Sequence, residues 1–115
     1  MAESIIQKKS FAFALIVVKL YRKILAQQEY VISKQLLRSG TSIGANVEEA
    51  SAALSRKDFR AKMSIALKEA RETRFWLRIL DESELVKLDV TTELKQVQEL
   101  ILILSSIVKT TGENP

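Results

Sequence analysis

The chain has no cysteine and no histidine, and its one proline is the last of 115 residues. Each absence removes a class of function. Without cysteine there is no disulfide framework, no thiolate nucleophile and no thiolate-ligated zinc or iron–sulfur centre. Without histidine there is no imidazole base, no Ser-His-Asp triad and no imidazole-bound metal. Three glycines and no internal proline leave few tight turns, which disfavours a β-sandwich or barrel. Aromatic residues make up 6% of the chain. The longest strictly apolar run, Phe11 to Val18, is eight residues, far short of the roughly 20 that cross a bilayer. Glu3 ahead of that run and the lack of a small-residue cleavage site argue against a signal peptide, so a cytoplasmic location is expected, with no membrane association.

What is present is a globular balance, 47% hydrophobic and 28% charged, sized for one domain over residues 1–115. The formal charge of +4 is unevenly placed. Residues 1–80 hold 15 Lys/Arg against 7 Asp/Glu, and residues 81–115 hold 3 against 7. A basic body of +8 therefore precedes an acidic end of −4.

Four segments repeat the helical period, at about 10–27, 30–54, 56–81 and 89–110. In the first, Phe13, Val17, Leu20 and Ile24 share a face, and Ser10 reads as its N-cap. Residues 1–9 fit either an extended stretch or an added turn. The second carries Ile32, Leu36, Ile43, Val47, Ala50 and Leu54. Its middle contains Gly40 and Gly44, each costing about 1 kcal/mol inside a helix. A loop would break the phase of the stripe from Leu36 to Ile43 to Val47. The segment therefore reads as one helix, with small residues admitting a close neighbour. Ser55 followed by Asp58 reads as a capping box for the third, lined by Phe59, Met63, Ala66, Ala70, Leu77 and Leu80 and broadened by Ile65, Trp76 and Ile79. Asp89 caps the fourth, whose Val90, Leu94, Val97, Ile101, Leu104 and Val108 alternate four and three. Gly112 and the tail after it read as frayed. Short connections make this an all-α, up-down-up-down antiparallel four-helix bundle.

Leu100 to Leu104 is apolar on every side of its helix, and Phe11 to Val18 has a similar excess. Both point to self-association through the first or fourth helix.

The third helix is the basic one. Lys57, Arg60, Arg71, Arg74 and Arg78 recur along it, and Lys19, Arg22 and Lys23 cluster on the first. Such residues suit phosphate contacts that are salt-dependent and largely indifferent to sequence. The plainer alternative is a solvated face with local pairs such as Lys68–Glu72. Glu48, Glu49, Glu69 and Glu72 raise the question of a carboxylate metal site, but bundle sites of that kind add Glu-x-x-His pairs, so no metal and no cofactor is expected. A structural role fits better. Glu49 or Glu69 can pair with Arg38 or Arg74 or bond Ser42, and Asn46 reads as a register residue. Phe75 and Trp76 are by type core or interface residues rather than base-stacking platforms.

The stretch Ser39-Gly40-Thr41-Ser42-Ile43-Gly44-Ala45-Asn46-Val47-Glu48-Glu49-Ala50, followed by Asp58-Phe59 and by Met63 to Leu77, resembles a bacterial family. It is the family of four-helix-bundle proteins encoded within intervening sequences of 23S ribosomal RNA genes. The chain is similar, more distantly, to the accessory variability determinant of diversity-generating retroelements. The resemblance implies an up-down bundle, a ring-like homopentamer, RNA or DNA binding, and, through the distant relative, a reverse transcriptase as partner. It implies no enzymatic activity. Many relatives have glycine where this chain has Ala50, a mild change because alanine is the better helix former. The expectation is a non-enzymatic, oligomeric nucleic-acid-binding bundle, with a protein-interaction scaffold as the alternative.

Overall fold

Four helices account for nearly all of residues 3–112, which the computed structural model describes. They are α1 (Ile5–Leu25), α2 (Ile32–Ser51), α3 (Arg56–Ser83) and α4 (Thr91–Gly112). Among the described residues there is no strand.

Capping chemistry sets most of the boundaries. Ser4 and Gln7 form a reciprocal capping box: the Ser4 hydroxyl accepts from the Gln7 amide at 3.2 Å, and the Gln7 side chain accepts from the Ser4 amide at 2.8 Å. α1 therefore starts a turn and a half before the expected Ser10. Ser10 instead lies buried inside the helix, its hydroxyl turned back to the Gln7 carbonyl. Ser55 accepts from the Asp58 amide at 3.0 Å and opens α3. Asp89 accepts from both the amide and the hydroxyl of Thr91 ahead of α4. Those two bonds, the hydroxyl first, hold the Asp89 carboxyl below its usual range. α4 runs on through Gly112, which is not frayed; residues 113–115 lie outside those described.

α2 has a cap that its sequence conceals. Val31 makes no side-chain cap bond, but the Glu29 carboxylate reaches forward to the amides of Val31, Ile32 and Ser33 at 2.7–3.1 Å. Slight burial would raise the Glu29 pKa. The Ser33, Val31 and Ile32 amides and the Ser33 hydroxyl outweigh it and hold the group below 4.5. A depressed folded pKa stabilises above the unfolded value and is lost as pH falls through the folded one. Glu29→Ala is therefore expected to cost about 1 kcal/mol at neutral pH and almost nothing in acid below the folded pKa. Urea denaturation at both pH values checks this, and an equal loss at both excludes the cap.

Side-chain ties establish that neighbouring helices run antiparallel. Lys9 of α1 pairs with Glu99 of α4 at 2.8 Å, and Gln27, just past α1, bonds the Lys87 backbone ahead of α4. Arg38 and Glu49 of α2 pair with Glu69 and Lys62 of α3. Arg56 at the start of α3 reaches the Thr110 and Thr111 carbonyls at the end of α4. Consecutive helices pack on each other, α1 on α4 closes the set, and the diagonal pairs do not meet. This is the up-down-up-down four-helix bundle, 49 × 24 × 20 Å.

The expected stripes form one core. Phe13, Val17, Leu20 and Ile24 meet Leu36, Ile43 and Val47, Met63, Ala66 and Leu77, and Val90, Val97, Ile101 and Leu104. Two assignments differ. α2 ends at Ser51, so Leu54 leaves the stripe and is 100% exposed in the connection. Ile65 turns outward.

α2 continues unbroken through both glycines because α1 crosses there. A Cβ on Gly44 would lie 3.2 Å from the Ser10 carbonyl oxygen, and one on Gly40 would lie 2.7 Å from a Val17 methyl. Gly40→Ala gains about 1 kcal/mol of helix propensity but overpacks a β-branched side chain with one favoured rotamer, at about 1–3 kcal/mol. The expected net is a loss of about 1 kcal/mol, reversed to a gain when Val17→Ala opens the space. A double-mutant cycle reads this directly; a stabilised single variant would show that Val17 yields freely.

Candidate nucleic-acid interface

The seam between α2 and α3 is a polar lock. The Arg38 guanidinium donates to Glu69 at 3.1 Å and to Glu72, and its Nε donates to Gln35 at 3.3 Å. Glu69 is 8% exposed, so its carboxylate depends on Arg38 rather than on water for its partner. Glu72 also accepts from the Trp76 indole N–H at 3.0 Å. Beneath them the Thr73 hydroxyl, fully buried, bonds the Ser39 hydroxyl at 2.9 Å. Asn46 does not cross to a neighbour: its amide donates to the Ser42 carbonyl of its own helix at 2.8 Å. Glu49 pairs with Lys62 and Glu48 is exposed, so the four glutamates do not gather. Among the described residues no group of three or more His, Cys, Asp or Glu forms a metal cluster.

The expected basic residues divide by what they hold. Arg60 donates to the Val108 carbonyl at 3.3 Å, beside Arg56 on the Thr110 and Thr111 carbonyls. Arg56 holds two of the last carbonyls of α4, which the helix end leaves short of intrahelical partners, and Arg60 adds a donor to Val108, whose carbonyl also accepts from the Thr111 hydroxyl. Gly112 fits this clamp, since a Cβ there would meet the Arg60 Nε at 2.7 Å. Arg74 is half-buried and donates to Gln98 at 2.7 Å across the α3–α4 seam. Arg78 pairs with Glu82 one turn on, both well exposed. Lys57 and Arg71 are exposed and, among the described residues, have no hydrogen-bond or ion-pair partner. Lys68, expected to pair with Glu72, is also exposed and without a partner among the described residues, because Glu72 is taken by Arg38 and Trp76.

Lys57, Lys68 and Arg71 lie on the outward side of α3 and span about 21 Å at 1.5 Å per residue. Lys19 and Arg22 are exposed on α1, with Lys23 beside them. α1 and α3 are diagonal, so the two basic clusters face away from each other within one chain and do not form one surface.

The apolar excess also divides. α4 buries Leu100, Ile101 and Leu104 and half-buries Ile103, leaving Leu102, 63% exposed, as its one outward large residue. α1 keeps Phe11, Leu15 and Val18 exposed at spacings of four and three, a continuous outward stripe flanked by Lys8, Lys19 and Arg22. Among the described residues no helix is long and apolar enough to cross a membrane.

The family described as 23S rRNA-intervening sequence protein matches residues 2–106. The crystal structure of a protein of unknown function from the S23 ribosomal protein family of Bacteroides thetaiotaomicron is similar throughout, with a TM-score of 0.86 and 45% identity. The likeness covers 91% of this chain and 96% of that one. No curated protein matches the chain.

Proposed function

Because the chain belongs to the 23S rRNA-intervening sequence protein family, we propose that it is a non-enzymatic bundle that binds structured RNA or DNA through the outward face of α3. The observation that carries this reading is the set of exposed α3 cations without a partner among the described residues, Lys57, Lys68 and Arg71. Their charge is not spent on a carboxylate of the same chain, so it is available to phosphate. Arg60 and Arg74 are assigned to holding α4, and Arg78, already paired, to a minor share. The bundle works as a homo-oligomer, a pentamer in keeping with the family resemblance, in the cytoplasm. The exposed Phe11–Leu15–Val18 stripe on α1 supports association. Association also gives the α1 and α3 clusters a way to meet, between copies rather than within one.

The same stripe favours a second reading, a scaffold that docks a protein partner such as a reverse transcriptase. The two separate on one measurement. Binding to labelled RNA, followed by fluorescence anisotropy across a salt series, is expected to weaken with a log–log slope of at least about −3. No binding at low salt, or binding indifferent to salt, leaves the scaffold. Sedimentation showing only monomer at micromolar concentration removes the oligomer.

A further inference from the structure

On the same strip of α3 as Lys68 and Arg71 stands Phe75, 52% exposed although it is a large apolar ring. At 100° per residue Phe75 lies about 20° from Lys68 and about 40° from Arg71 around the helix. The ring is not loose. Trp76 meets it edge to face, with centroids 5.1 Å apart and planes at 75°. Trp76 is itself fixed by its indole bond to Glu72, which Arg38 holds in turn. A chain of contacts anchored in the α2–α3 seam thus holds one aromatic face toward solvent. Beside it opens a groove of about 320 Å³ lined by Phe75, Arg78, Ile79, Glu82 and Ser83.

We propose that Phe75 is a stacking platform for an unpaired base, so that the α3 face takes single-stranded segments of RNA rather than paired ones. This rests on the nucleic-acid reading above and narrows its ligand. The charge around the ring sets the direction of the strand. Toward the α3 N-terminus are the two free cations, Lys68 and Arg71. Toward the C-terminus Arg78 is neutralised by Glu82, and Asp81 and Glu84 follow. The phosphates therefore run over Lys68 and Arg71, and the base lies on Phe75 with its edge toward the groove. Stacking on an aromatic face needs no base identity, and a base inside a duplex has no free face to offer. A ring already held by Trp76 and exposed to water loses little freedom on binding.

The experiment uses the full chain and two probes, an unstructured RNA strand of about 12 nucleotides and the same strand annealed to its complement. Phe75→Ala is expected to weaken single-strand binding about tenfold and leave duplex binding unchanged, while Phe75→Tyr keeps both. Trp76 is the one tryptophan in the chain, and its emission is expected to shift on adding the single strand but not the duplex. Equal affinity of Phe75→Ala for the single strand overturns the proposal, as does an equal loss on both probes. A smaller sedimenting species for Phe75→Ala also overturns it, by placing the ring between two copies of the chain. Each of these leaves salt-dependent binding of the native protein intact. Loss of the broader reading looks different, since the native chain then binds neither probe at low salt.

Discussion

Arg38→Met is expected to destabilise the bundle by about 3 kcal/mol, measured by urea denaturation at neutral pH. The residue looks like a surface arginine, with half of its side chain in water. Its partner does not: the Glu69 side chain is 10% exposed. Removing the guanidinium leaves a carboxylate in the α2–α3 seam without its cation, and leaves Gln35 and Glu72 each one partner short. The cost comes from the buried charge left behind more than from attraction lost. That gives an asymmetric prediction. Arg38→Met with Glu69→Leu is expected to recover most of the loss, because an apolar pair of similar volume carries no desolvation penalty. Added salt changes the Arg38→Met loss little, unlike a screened surface pair. A loss below about 1 kcal/mol would put the pair with ordinary exposed ion pairs and remove its role in setting helix register.

This lock was partly legible in the sequence. Residue types allow Glu49 or Glu69 to pair with Arg38 or Arg74, and only the packing of α2 on α3 selects Arg38 with Glu69. The continuity of α2 was legible for a similar reason, since Leu36, Ile43 and Val47 keep phase across glycines that propensity alone would call a break. The less legible features depend on contacts distant in sequence or on groups that any helix has. Ser4 and Ser10 are both possible caps for α1. The choice between them falls to Gln7, whose side chain closes a box with Ser4, while Ser10 lies beside Gly44 in the packed face. Glu29 caps α2 from three residues before Ile32, through a carboxylate reaching forward to the first amides of the helix, and no capping pattern places an acid there. Leu54 continues the period of α2 arithmetically, but the helix has already ended.

The basic residues show the same division. Spacing puts Arg71, Arg74 and Arg78 on one face, with Lys57 and Arg60 a turn apart at the start of the helix. It contained no information that Arg60 would be drawn to the end of α4 or Arg74 to Gln98, because both partners lie on another helix at positions unrelated to the α3 period. The helix order, by contrast, was available: in an up-down bundle with short connections the first and third helices are diagonal. The separation of the Lys19–Arg22 cluster from the α3 cluster follows from the fold expected at the outset.

Reversing the three free cations of α3 is expected to have the largest effect on binding. Lys57→Glu, Lys68→Glu and Arg71→Glu together remove three phosphate contacts and put three repulsive charges in their place. RNA affinity at about 0.1 M salt is expected to fall at least about 100-fold, and the log–log salt slope to flatten by about 3. Folding stability is expected to stay within about 0.5 kcal/mol, because none of the three side chains bonds another described residue. The matched control is Lys87→Glu, Lys95→Glu and Lys109→Glu, at three exposed positions around α4. Each exchange removes two units of charge, so both triple variants go from a formal +4 to −2. If the net field of the molecule drives binding, the two lose affinity equally. If α3 is the interface, the control keeps its salt slope and loses a few-fold at most, since its lysines supply no contact on the α3 face. Equal losses would reject a defined α3 interface even with salt-dependent binding intact. A loss confined to the α3 variant would locate the contact on Lys57, Lys68 and Arg71.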